Sequence, residues 1–408
     1  KLCPPTENRP APERPSAPAP NRERMPSRRD LLAALGTGAA LGIAGCAGSD
    51  CTPVEPDGIE WPHPGGDPSN TAAVPDGAVA TRVGERWRAP IVPDAELLAF
   101  AGAVVDGDRI VGAGRLPKTG LAIEHDLRDG STGTRVTLPE RIASPPVAVD
   151  GGTAVAYATD DGAELRLLDD GTETGRYALG DAPVTPRAAG TALFGGDATG
   201  AFAYDVTGNG ERWRREFGDG HEGGAVSFPP AVDDRLVYVA VTSSSDRGIH
   251  ALDRQAGDVE WSVDGPRATR APVRTGSLLL VPVGNELLAL DAETGERRWS
   301  TPTPADRRTF LPPAGAGERL AVSDASTVHG LDRGTGDLGW AVDFEGAGRP
   351  IVVGDTVVAS VGSAVVALAL DDGSERWRLD DVSLVAPLAN GVLVRRGDEL
   401  VACTVCEN

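Results

Sequence analysis

The stretch Leu290–Trp299 reads Leu-Asp-Ala-Glu-Thr-Gly-Glu-Arg-Arg-Trp, and its frame recurs as Leu252-Asp253…Gly257…Trp261 and as Leu331-Asp332…Gly336…Trp340. In each copy Asp and Gly stand four residues apart, and Asp and Trp eight. A period of this kind restricts a chain to architectures that repeat one supersecondary unit many times. An apolar strand ends at the Asp, a Gly supplies the positive φ of a tight turn, and the Trp belongs to the strand that follows. Traced along the chain, the Trp position is held by Trp87, Val136, Tyr177, Trp213, Trp261, Trp299, Trp340 and Trp377. Val136 and Tyr177 are substitutes, placed by Gly133 and Gly175 just before them. The mean interval is about 41 residues, the length of one four-stranded propeller blade.

Each unit divides in the same way. A first strand begins beside proline, as at Pro146, Pro186, Pro230, Pro272, Pro313, Pro350 and Pro387, where no ladder donor is lost. A second strand such as 277–283 turns at Gly284-Asn285 into a third, 286–291, which ends at the Asp. No segment after residue 50 keeps a helical period. The expected fold is therefore all-β, an eight-bladed propeller over residues 84–406, with seven blades as the alternative if the weak repeats near 126 and 169 merge. After Trp377 the chain supplies three strands without a fourth, while Gly84–Trp87 is a fourth strand without a blade before it. Their pairing would close the ring and hide its edges.

The pattern Ala-x-Asp-x-x-Thr-Gly-x-x-x-Trp, fullest in Ala289–Trp299, resembles the repeat of the PQQ-like (quinoprotein-type) β-propellers. Degraded copies stand at Ala203–Trp213, Ala251–Trp261 and Gly330–Trp340, and a shortened one at Ala369–Trp377. The resemblance implies that Trp213, Trp261, Trp299, Trp340 and Trp377 dock between neighbouring blades and are structural. It also implies a choice between two branches. The dehydrogenase branch holds pyrroloquinoline quinone and calcium in the central funnel and usually carries a vicinal cysteine pair. Here no two of the five cysteines are adjacent and no Cys-x-x-Cys-His for haem occurs. The departures favour the non-catalytic, BamB-like branch, with no catalytic, cofactor or metal residue assigned. The expected role is a protein-interaction or assembly scaffold, working as a monomer. The alternatives are a quinone-dependent dehydrogenase with an atypical site and a cell-surface sugar-binding module, the latter needing more exposed aromatics than this chain has.

The first 80 residues read as an address. Residues 1–24 are rich in Pro, Arg and Ala, a disordered or mis-called extension. From Met25, Arg28-Arg29 form a twin-arginine pattern ahead of an uncharged run to Gly45, an export signal too short to span a bilayer as a permanent helix. Ile43-Ala44-Gly45-Cys46 resembles a lipobox, making Cys46 the lipid acceptor and the outer face of the cell membrane the expected location. Residues 46–80 read as a flexible tether, with Trp61-Pro62-His63-Pro64 packing against the domain. The net charge of −21, with Lys1 and Lys118 the only lysines, disfavours nucleic acid as a partner and resembles haloarchaeal composition.

Little else points to chemistry. Gly334–Gly339 matches a dinucleotide-loop string, but a strand follows where a helix is required. Cys403 and Cys406 are either a disulfide or two inert thiols, since positions i and i+3 on a strand face opposite sides. Arg267, Arg270, Arg307, Arg308 and Arg349 precede the first strands of successive blades. Gathered at one channel mouth, they would form a cationic rim for an acidic partner or carboxylate ligand.

Overall fold

At the repeat's turn, Asp291 Oδ1 accepts hydrogen bonds from the N–H groups of Glu293 and Thr294 at 3.0 Å and from the Thr294 hydroxyl at 3.1 Å. The Asp291 carbonyl takes the Gly295 N–H. Arg298 lies 2.7 Å from the second carboxylate oxygen, and this pairing holds the Asp291 carboxyl below the usual range. The acid is fully employed in shaping a turn. Asp253 and Asp332 accept from their own turn amides in the same way.

The structure, a computed structural model, describes residues 51–79, 82–138, 144–150, 152–159, 162–179, 185–208, 210–218, 225–242, 246–304 and 308–407. The extension 1–24, the signal 25–45 with Arg28 and Arg29, Cys46 and Arg307 lie outside them. No helix occurs among the described residues. Eight antiparallel blades run in chain order: 99–138, 147–179, 187–216, 231–264, 273–302, 314–343, 351–380, and an eighth made of 383–407 with 83–90. In blade 6 the innermost strand is reduced to a bridge between Ala314 and Ala321. The ring closes as expected, the strand Val83–Pro90 pairing antiparallel with Glu399–Glu407 and Trp87 standing opposite Ala402.

Burial falls from hub to rim. Second strands such as Leu278–Val283 are buried at every residue, whereas fourth strands such as Leu338–Asp343 alternate. Charged flanks such as Arg212 and Arg214 or Arg376 and Arg378 keep those outer edges from pairing with other chains. The substitutes hold the repeat register, with Val136 opposite Ala122 and Tyr177 opposite Leu165, as Trp299 is opposite Ala289.

Each tryptophan joins its blade to the next. The indole N–H of Trp87, Trp213, Trp261, Trp299 and Trp340 donates to the carbonyl of Leu127, Arg254, Ala292, Arg333 and Leu370, at 2.7 to 3.1 Å. The ring lies against the turn glycine of that next blade. A Cβ on Gly295 would sit 2.7 Å from the Trp261 ring, and Gly295 has φ 74°. Both the conformation and the contact require glycine.

Trp377 is the exception. Its indole N–H is buried without a partner. In blades 4 to 7 the acceptor lies three residues past the residue at the Ala position, which in blade 8 is Val405. The Val405 carbonyl is already taken by the Val54 N–H at 3.0 Å. Trp299→Phe, which orphans the Arg333 carbonyl, is therefore expected to destabilise by about 1–2 kcal/mol more than Trp377→Phe, since both shorten a buried ring equally. Equal losses in urea titrations would contradict this account of the seam.

Residues 51–79 are not a flexible tether. Thr52-Pro53 extends the seam by pairing with Cys406 and Glu407. Glu60-Trp61 pairs with Val105 and Asp106 of blade 1, and Ala73-Val74 runs parallel to Val352-Val353 of blade 7. Trp61 is 1% exposed, so its expected packing holds. The backbone of this segment was misread because its contacts are made by carbonyls, which leave no side-chain period.

Candidate functional site

The first strands of successive blades neighbour one another and form the hub of the ring. Residues 57–78 travel round it once. The carbonyls of Pro62, Pro68, Ser69, Thr71 and Ala72 accept the N–H groups of Ala148, Val232, Arg274, Gly315 and Val352, one each from blades 2, 4, 5, 6 and 7. Asn70 Oδ1 meets Arg187 of blade 3 at 2.7 Å, and the path begins and ends on Ala389 of blade 8 through Asp57 and Ala78. With the Trp61 pairing, all eight blades touch one segment.

At its centre lie His63, Asn70, Arg187 and Arg349. Asn70 Oδ1 also accepts from Arg349 at 2.8 Å, and Arg349 Nη2 reaches the Asn70 carbonyl at 2.5 Å. Burial lowers the guanidinium of Arg187 to about 10 and that of Arg349 to about 9, so both remain charged at neutral pH. Burial, reinforced by Arg187, pushes His63 well below the ordinary imidazole range and leaves it neutral. Arg187 was legible in principle. It follows Pro186 where the other blades place Val147, Ala231, Val273 and Ile351 after their prolines, and a charge at an apolar repeat position marks a special site.

Of the five arginines expected to ring the mouth, Arg307 lies outside the described residues and the other four do not act together. Arg349 turns inward onto Asn70. Arg308 is exposed and lies 3.7 Å from the buried Asp324. Arg270 is exposed and donates to the Thr269 carbonyl at 2.6 Å. Arg267 alone lines a sizeable cavity, a groove of about 480 Å³ between blades 4 and 5. Val263, Pro266, Leu288 and Leu290 give that groove an apolar lining, and Arg267, Arg297, Asn285 and Glu286 give it polar walls.

The cysteine expectation is corrected. Cys406 bonds Cys51, with Cα atoms 5.1 Å apart across 355 residues of sequence, and Cys403 is a buried thiol. Two positions three apart on one strand point to opposite faces, so only Cys406 reaches the neighbouring segment.

The quinone and calcium of the dehydrogenase branch do not fit these residues. The hub is covered by residues 57–78. No group of three or more His, Cys, Asp or Glu suited to a metal occurs among the described residues, and the one disulfide joins distant cysteines rather than a vicinal pair.

The family model described as outer membrane protein assembly factor BamB matches residues 162–311 and 308–404. No curated protein matches the chain. Among solved structures, BamB from Moraxella catarrhalis is similar at 17% identity and TM-score 0.52, covering 86% of this chain and 100% of that one. Quinohemoprotein alcohol dehydrogenase from Comamonas testosteroni is similar at 14% identity and TM-score 0.63, covering 86% and 80%. The computationally designed Ika8 protein is similar at 14% identity and TM-score 0.64, covering 79% and 99%. At these identities the likenesses concern the fold alone.

Proposed function

The chain belongs to the family described as outer membrane protein assembly factor BamB, and from that premise we propose that it is a non-catalytic propeller that serves as an interaction scaffold for protein partners. It is exported and held on the outer face of the cell membrane by a lipid on Cys46. The observation that supports the reading is the covered hub: residues 57–78 circle it and bond to every blade. Recognition is left to the outside of the ring. The groove between blades 4 and 5 fits an extended apolar segment with an acidic flank, its lining taking the apolar side chains and Arg267 and Arg297 the acid. The Cys51–Cys406 bond supports export, because such bonds persist in oxidising compartments.

The test is crosslinked capture from the membranes of cells carrying the protein. Replacing Arg267 by Glu together with Val263 by Glu is expected to reduce recovery of a specific partner about tenfold, a loss of roughly 1.4 kcal/mol. Undiminished capture would remove the groove from the proposal. Dye reduction with alcohols or sugars after addition of pyrroloquinoline quinone and Ca²⁺ would overturn the non-catalytic reading.

A further inference from the structure

The hub cluster holds more positive charge than it answers. Arg187 is 4% exposed and His63 0%. Arg187 Nε and Nη1 and Arg349 Nε are buried without a hydrogen-bond partner, and the buried His63 ring beside them is steadied by the Ala188 backbone. Among the described residues no carboxylate lies within ion-pair distance of either guanidinium. The charge of Asp67 favours both guanidiniums but contacts neither, because its two oxygens are used on Thr71, accepting from the N–H at 2.9 Å and the hydroxyl at 2.5 Å. The only side-chain acceptor between the arginines is the amide oxygen of Asn70, which carries no charge. Two guanidiniums converging on one neutral oxygen repel each other in a medium that screens poorly. Buried charge is ordinarily paired, and buried N–H groups are ordinarily satisfied.

We infer that the hub is a site for one small monovalent anion, held by the open N–H groups of Arg187 and Arg349. An anion there supplies the missing acceptor and adds to the charge of Asp67, which touches neither guanidinium. The anion would be structural, tying blades 3 and 7 to the segment between them.

Chloride is the probe, and ionic strength must be fixed, because any salt screens a chain of net charge −21. Thermal melts of the full chain in sodium chloride, replaced stepwise by sodium gluconate, are expected to rise by roughly 4 °C when chloride reaches a hundredfold excess over its Kd. Arg187→Gln should lose this chloride-specific rise. No rise in the unaltered protein, or the same rise in Arg187→Gln, would overturn the site. Should that variant fail to fold, crystals of the unaltered protein grown in sodium bromide decide the matter. An anomalous peak touching both guanidiniums supports the site, and water alone there, or bromide only elsewhere, overturns it.

Discussion

Replacing residues 59–76 by a short Gly-Ser linker is expected to abolish cooperative unfolding of the propeller. The exchange is geometrically possible because Asp57 and Ala78 both bond Ala389, so the excursion returns close to where it left. It removes Trp61, whose truncation to Ala alone would destabilise by about 3–5 kcal/mol. It also removes backbone bonds to blades 2, 4, 5, 6 and 7, each contributing about 1 kcal/mol, and leaves Arg187 and Arg349 without Asn70. The sum is comparable to the whole stability of an ordinary domain, about 5–15 kcal/mol. Calorimetry and dye binding to exposed apolar surface would report it. A variant that melts cooperatively within a few degrees of the unaltered protein would show that the ring stands without its hub segment.

Breaking the Cys51–Cys406 bond is the second large effect. The bond closes a loop of 355 residues, and loop-closure entropy then contributes on the order of 6 kcal/mol. Reduction with dithiothreitol, or Cys51→Ser with Cys406→Ser, should lower Tm by about 8 °C. The double variant should not respond further to reductant. A Tm that ignores reductant would mean that the hydrogen bonds between Glu399–Glu407 and its three partner strands suffice to hold the seam.

These two features were the least legible in the sequence, and the reason is physical. Leu290–Trp299 announces itself because a Trp ring needs a glycine beneath it and an Asp must cap the turn, so the same side chains recur wherever the joint recurs. The segment 57–78 binds six of the eight blades through main-chain carbonyls, and any residue has one. Only Trp61 marked it, as an apolar ring in a polar stretch. The cysteine pairing is hidden for the same reason, since Cys51 opens a stretch whose contacts with the seam leave no side-chain period. In the hub, Arg349 was picked out but aimed at the mouth, because the acceptor that turns it inward, Asn70, lies 279 residues away. Arg187 could have been found by aligning the repeats against each other and asking which blade carries a charge after its first proline.

The bond at Cys51 also sets an orientation. With a lipid on Cys46, only five peptide units separate the bilayer surface from a residue covalently fixed to blade 8, a leash of at most about 18 Å. A propeller on so short a leash would not tumble freely above a membrane. Its seam would face the lipid, and in a ring of eight the blade diametrically across is blade 4. The groove that blade 4 shares with blade 5 would then look away from the membrane, toward whatever approaches from outside.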